Sequence, residues 1–217
     1  MSSITPRTET PQNFRMYVRA EVVVVHKTRE TFGGLSNMAP GFPIRINGVR
    51  IATSEALYQA CRFPHLPNVQ REIIEQHSPM TAKMKSKSHR EDSREDWDQV
   101  RTKIMRWCLR VKLSQNFEEF SRLLLSTKDR SIVEQSSKDD YWGAKLMGVA
   151  HETLIGRNIL GRLLMELREE IKNDAVGARQ AVSPPNIPNF LFLGEKVVLQ
   201  KEDRDSEDLA VRQTDLL

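Results

Sequence analysis

The strongest constraint in the sequence is a helical repeat of apolar side chains over residues 94–115. Trp97, Val100, Ile104, Trp107, Cys108 and Val111 recur at the spacing of one helix face. Ser93 stands where a cap is needed, and Glu95 and Asp96 fall in the first turn, where the helix dipole favours negative charge. A second stripe, Ile159, Leu160, Leu163, Leu164, Leu167 and Ile171, predicts a helix over 157–173. Shorter helices are expected at 69–76, after the Ser78-Pro79 cap, and at 117–126 through Phe120, Leu123 and Leu124.

Strand signals are fewer. Val22–Val25 is a β-branched run. Residues 42–51 predict a hairpin: Ile44 and Ile46 alternate with polar neighbours, Asn47-Gly48 supplies a type I′ turn, and Val49 and Ile51 return. A helix then starts at Thr53-Ser54. The expectation is an α+β fold, a compact and mainly α-helical single domain with a small β-sheet, spanning residues 19–176. Residues 1–18 are expected to be a disordered arm, rich in Ser, Thr, Pro and Arg. Residues 177–217 are expected to form a linker at Ser183-Pro184-Pro185, a possible added strand near Phe190–Leu199 and a charged tail.

At 217 residues the chain is long enough for one sizeable core. Its net charge of +4 fits an anionic ligand, a phosphate ester or nucleic acid, without requiring one. The two cysteines, Cys61 and Cys108, form no Cys-x-x-Cys or Cys/His pattern, so neither a disulfide framework nor a structural zinc is expected. The N-terminus lacks an apolar signal core and the apolar runs are too short to span a membrane. A cytoplasmic or nuclear setting, with no membrane partner, is the expectation.

No P-loop or Ser-His-Asp pattern is present, and the five histidines include no helical pair at i and i+4. Four features remain. Glu55 sits in the first turn of a helix directly after a hairpin, with Gln59 and Arg62 on its face; it is either an ordinary first-turn carboxylate on a wet surface or a held catalytic anion. Asp139 and Asp140 precede Tyr141-Trp142-Gly143 in a loop following a short helical stretch, which reads as a ligand pocket or as a turn anchored by a buried Trp. Trp97 either belongs to the core or offers a stacking face. Lys83, Lys85 and Lys87 are solvated, touch phosphate, or include a lysine drawn into an apolar pocket that acts as a nucleophile.

In this order, Gly34-Leu35-Ser36-Asn37, Thr53-Ser54-Glu55-Ala56-Leu57-Tyr58-Gln59-Ala60, Ser78-Pro79-Met80 with Ala82-Lys83, Arg94-Glu95-Asp96-Trp97, Val111-Lys112-Leu113-Ser114-Gln115-Asn116, Asp139-Asp140-Tyr141-Trp142-Gly143 and Gly156-Arg157-Asn158-Ile159-Leu160-Gly161-Arg162 resemble the NADAR family. The resemblance covers about residues 31–172. It departs at Ala56, where a histidine is usual, and at Val24-Val25, where a Phe-Tyr pair is common. It implies cleavage of N-glycosidic bonds: removal of ADP-ribose from guanine in nucleic acid, or hydrolysis of phosphoribosylaminopyrimidine intermediates of riboflavin synthesis. A non-catalytic ADP-ribose-binding module is the third alternative. No metal or other cofactor is implied; the implied partners are an ADP-ribose or phosphoribosyl ligand and ADP-ribosylated nucleic acid. By the resemblance, Glu55, Lys83 and Asp139 are catalytic, and Asn37, Trp97, Trp142 and Asn158 bind substrate. A lysine Schiff base is implied for some members; Lys83 and Lys112 both match, and Lys83 is favoured because Lys112 lies deep in a long helix.

Overall fold

The computed structural model describes residues 13–147 and 152–198. Its first element, β1 (Arg15–Val18), is followed by β2 (Val23–Val25) and by a tight hairpin of β3 (Ile44–Ile46) and β4 (Val49–Ile51). In the hairpin Asn47 (φ 47°) and Gly48 (φ 80°) both occupy the left-handed region, as a type I′ turn demands. Ile44, Ile46 and Ile51 are buried beneath it.

Three helices come next: α1 (Ser54–Ala60), α2 (Pro67–Ile74) and α3 (Pro79–Ser88). The Thr53 hydroxyl accepts from the Ala56 amide at 3.2 Å, and the Ser78 hydroxyl accepts from the Thr81 amide at 3.1 Å, so α1 and α3 begin on side-chain caps. The long helix α4 covers Trp97–Gln115. It begins at Trp97 rather than at 94. Ser93 does not cap it, because its hydroxyl donates to Arg90 O (2.5 Å) and accepts from Arg62 Nε (2.6 Å). Helix α5 (Phe117–Ser126) follows almost without a break.

The chain then returns to strand. β5 (Ile132–Glu134) lies parallel to β2, with Val23 opposite Ile132 and Val25 opposite Glu134. This corrects the helical stretch expected before residue 136. Val23, Val25, Ile132 and Val133 are all buried, so the pair reads as a continuous apolar run without the alternation that marks a half-wet strand. β6 (Lys145–Met147) and β7 (Thr153–Gly156) complete a three-stranded sheet in the order β1-β7-β6. The expected small sheet is thus this piece and three separate strand pairs. Helix α6 (Ile159–Asn173) buries Leu160, Leu163, Leu164, Leu167 and Ile171, and α7 (Ala175–Arg179) follows it. Cys61 and Cys108 are buried as free thiols.

Two expectations about the ends are corrected. Residues 15–18 are not an arm: they pair in register with β7, and Tyr17 packs on Val133, Ala144 and Leu154. The strand was hidden because only Tyr17 of its four side chains turns inward. Nor does the domain stop at 176. β8 (Leu191–Phe192) and β9 (Glu195–Lys196) form their own hairpin, Phe190, Phe192 and Val197 are buried in the main core, and Phe190 meets Trp107 edge-on at 5.0 Å. Gln70 fastens this segment: its Nε2 donates to Ala60 O and Leu191 O, both at 3.1 Å, and its Oε1 accepts from Leu193 N at 2.6 Å. Residues 1–12 and the tail from 201 lie outside the described residues, as does His151. Among the described residues no helix is long and apolar enough to cross a membrane.

Deleting residues 1–18 removes β1 and is expected to cost about 1–2 kcal/mol, through lost ladder hydrogen bonds and the burial of Tyr17. For a chain of this size that lowers Tm by roughly 2–8 °C with the fold retained. A melting curve unchanged by the deletion would show that β1 contributes nothing.

Candidate active site

Glu55 is the second residue of α1, and it is 3% exposed. It is therefore not the wet surface carboxylate that its position in a first turn allowed. Both its oxygens are held: Asn37 Nδ2 donates to Oε2, and Gln59 Nε2 donates to Oε1 at 2.9 Å. The backbone repeats the link, since the Glu55 amide and the Ser54 hydroxyl both donate to Asn37 O, at 2.9 and 3.0 Å. Burial pushes the Glu55 carboxyl up from the usual range. The positive charge of Lys83 and the two amide donors pull it back, and Asp139 adds to the rise.

Asn37 is presented by the loop after Gly34, and Lys112 holds that loop. Lys112 is fully buried; its Nζ donates to Gly34 O (2.7 Å) and Ser36 O (3.0 Å) and lies 4.4 and 4.3 Å from the ring centres of Phe42 and Phe120. Burial lowers its pKa to about 7. Although such a lysine has a neutral fraction near neutral pH, its nitrogen is enclosed by backbone and rings. Its place is that of a positioning residue.

Lys83 is exposed on α3. Its charge bears on both Glu55 and Glu134, yet it forms no ion pair or hydrogen bond among the described residues. Lys85 turns away to Glu72 on α2, at 3.3 Å. Of the two lysines matched by resemblance, Lys83 is the one beside the carboxylates and open to a ligand.

The structure adds a residue the sequence did not single out. Glu134, the last residue of β5, is partly buried, and its carboxyl is pushed up to about 7. Burial is the main cause, followed by the negative charges of Glu55 and Asp139, with Lys83 opposing. Among the described residues no group donates a hydrogen bond to its side chain. Its backbone is fixed: the Glu134 amide donates to Asn158 Oδ1 at 3.0 Å, and a Cβ on Gly143 would stand 2.5 Å from Glu134 O, so only glycine admits that approach. The signal available in the sequence was one acid closing the apolar pair Ile132-Val133.

Asp139 shapes the neighbouring loop. Its Oδ1 accepts from the amides of Tyr141 and Trp142, both at 2.9 Å, and its own amide donates to Ser136 Oγ at 3.0 Å. Oδ2 has no partner among the described residues, so one oxygen builds the turn and the other is free. Asp140 instead pairs with Lys145 at 2.6 Å. Trp142 lies edge-on to Tyr58 (5.5 Å, 81°), and Tyr58 in turn packs on Trp97 at 5.1 Å. Trp97 is buried, with the guanidinium of Arg62 over its ring at 5.1 Å; Arg101 stacks on Tyr141 at 3.8 Å, with Arg157 at 5.7 Å from the same ring. An aromatic wall edged with arginines thus stands beside the carboxylates.

Asn158, expected to bind substrate, is fully buried in the left-handed region. Its Oδ1 takes the Glu134 amide and its Nδ2 donates to Ile132 O at 2.8 Å. Its amide is committed to β5, and it positions Glu134. No described histidine joins this group: His26 faces Glu30 and His89 faces Glu72 and Asp92. Among the described residues no three His, Cys, Asp or Glu side chains are placed to hold a metal ion. A separate cleft of about 370 Å³ lies between α4 and residues 181–185, lined by Lys103, Arg106, Trp107 and Arg110; Arg106 and Arg110 are already paired with Glu166 and Glu170.

The sequence matches the NADAR domain family over residues 24–172. It is 34% identical over 161 residues to the N-glycosidase YbiA of Escherichia coli strain K12, covering 74% of this chain and 94% of that protein. An N-glycosidase of Nostoc punctiforme is 31% identical over 153 residues, covering 70% of this chain and 93% of the relative. A riboflavin biosynthesis protein of Vibrio vulnificus is 32% identical over 161 residues, a match that spans 74% of this chain but 41% of that longer protein. The solution NMR structure of Escherichia coli YbiA superimposes with a TM-score of 0.59 at 33% identity, covering 72% of this chain and 89% of that one. Its match supports the same α+β architecture.

Proposed function

The chain belongs to the NADAR domain family, and on that premise we propose that it hydrolyses the N-glycosidic bond between a nucleobase-like ring and a phosphorylated ribose. The observation that carries the reading is Glu55: a buried carboxylate with an amide donor on each oxygen, facing Lys83, Glu134 and Asp139. Breaking a ribosyl C–N bond builds positive charge on the sugar, and a fixed carboxylate stabilises that charge or takes a proton from water. Tyr141 and Trp142, backed by the buried Tyr58 and Trp97, border the place of the departing ring, and Arg62, Arg101 and Arg157 supply charge for phosphate. The names of the relatives, two N-glycosidases among them, support the same bond class. A pure binding module would have no use for several carboxylates set against one another at such electrostatic cost.

Our substrate proposal is ADP-ribosylated guanine in nucleic acid, supported by the arginine edge and the basic balance of the chain. A second reading, a phosphoribosylaminopyrimidine, is favoured by the riboflavin biosynthesis protein among the relatives. Release of the base from an ADP-ribosylated oligonucleotide and from the aminopyrimidine, compared by product mass, separates the two. Faster release from the aminopyrimidine would overturn the nucleic-acid choice and leave the bond class standing.

Lys83 extends the mechanism. Once its ammonium has passed a proton to a neighbouring carboxylate, attack of the Lys83 amine on the ribose C1 displaces the base, opens the sugar to an imine, and leaves water to hydrolyse it. The enzyme given substrate and borohydride is expected to gain the mass of the ribosyl ligand on Lys83. Lys83→Ala abolishes the adduct and Lys85→Ala keeps it. An adduct mapped to Lys112 would contradict the burial of that side chain, and turnover without any adduct would assign the attack to water activated by Glu55 and Asp139.

A further inference from the structure

We propose that Glu134 is the general acid of the reaction, donating its proton to the leaving nitrogen while Glu55 remains ionised. The assignment rests on the N-glycosidase reading above and names a role that neither the sequence nor the relatives supply. It follows from the donor inventory of the two carboxyls. A carboxylate that accepts hydrogen bonds is stabilised as the anion, and one without donors in a partly buried place keeps its proton. Glu55 receives an N–H on each oxygen, from Asn37 and Gln59. The Glu134 side chain receives none among the described residues, and it shares its surroundings with two further acids. Two carboxyls in one site whose environments differ in this way divide into an ionised and a protonated partner.

The groups facing Glu134 are Glu55 from α1, Lys83 from α3 and Asp139 from the loop after β5. The acids hold the proton on and the ammonium loosens it, which leaves the carboxyl near 7, a suitable value for proton transfer at neutral pH. Its main chain is held by Asn158 and by the close approach of Gly143, which fixes the point from which the side chain starts. In the step itself the electrons of the C1–N bond pass to nitrogen, which takes the proton of Glu134. Oxygen of water, or the Lys83 amine, bonds to C1, and the proton lost by that nucleophile passes to Glu55. Solvent then reprotonates Glu134 and deprotonates Glu55; with water as the nucleophile the net change is addition of one water, and with Lys83 it becomes so once water has hydrolysed the imine and freed the amine.

The test compares two aglycones on the same ribose 5-phosphate: an aminopyrimidine, which needs a proton to leave, and p-nitrophenolate, which does not. Glu134→Gln is expected to lower kcat for the aminopyrimidine at least about a hundredfold, with KM changed little, and to leave p-nitrophenolate release within about threefold of the parent. The fall of the parent's rate as pH rises through about 7 disappears in Glu134→Gln and persists in a slower Glu134→Asp. A folded Glu134→Gln enzyme that loses both aglycones equally would overturn the role of Glu134. A parent enzyme that releases neither aglycone, nor the base of an ADP-ribosylated guanine oligonucleotide, would overturn the N-glycosidase reading and this assignment together. Thermal melting guards against misfolding. The raised carboxyl is ionised at a cost above about 7 and neutral below its ordinary range, so Glu134→Gln gains Tm relative to the parent at pH 8 and not at pH 4.

Discussion

Glu55→Gln is expected to reduce turnover at least about a hundredfold, the range for loss of an electrostatic or acid–base partner in a water-poor site. The substitution keeps the size of the side chain and removes its charge. Asn37 and Gln59 both present N–H groups to Glu55, and a glutamine there can accept from only one of them without a rearrangement. Either neighbour can rotate its amide by half a turn to offer oxygen. The loss of one satisfied bond, about 1 kcal/mol, is offset by removal of a buried charge, so Tm should move by only a few degrees. Steady-state rates and melting curves on the same preparation check both halves. Near-normal turnover in a folded Glu55→Gln enzyme would remove Glu55 from the chemistry.

The second large effect is on stability. Lys112→Ala is expected to cost at least about 3 kcal/mol, since it empties a fully buried space, takes the Lys112 donor from Gly34 O and leaves Ser36 O with the Ala39 amide alone. The same loop carries Asn37, so activity should fall more than the unfolded fraction accounts for. The pH dependence follows from the depressed pKa. From about 7 up to the ordinary lysine range, the unfolded chain holds a proton on this lysine that the folded chain has released. Folding stability therefore rises with pH across that window; below it both states hold the proton, the cost of the buried charge is at its full value and the slope vanishes. Lys112→Met keeps most of the volume but loses this slope. Denaturant titrations of the two proteins at pH 6.5 and 9.5 check the sign; equal slopes would mean that Lys112 does not titrate there.

Much of the helical frame was legible in the sequence because the periodicities are long. α5 spans Phe117–Ser126 as expected, α6 keeps its leucine stripe, and Asn47-Gly48 makes the turn that its residue types require. What escaped was short or two-sided. β5 has three residues and no alternation, so it passed for a helical stretch, and Glu134 at its end went unnoticed. β1 shows one inward residue to the reader of a sequence and gains its identity only from β7. Glu55 could be singled out from its place after a hairpin, but its burial could not, because Asn37 comes from a loop eighteen residues earlier. Asn158 shows the converse: a motif residue read as substrate-binding holds the backbone that presents Glu134, while Lys112, set aside for its depth in a long helix, holds the loop that carries Asn37.

The most direct test of the central claim is the fate of solvent oxygen. The purified chain is incubated briefly in H₂¹⁸O with an ADP-ribosylated guanine oligonucleotide and, separately, with a phosphoribosylaminopyrimidine, and the products are weighed. Cleavage of the N-glycosidic bond by water, directly or through an imine on Lys83, places one ¹⁸O on C1 of the released ribose and none on the free base, and Glu55→Gln slows both products together. Label found in phosphate, or ligand bound and recovered intact from both incubations, would contradict the account.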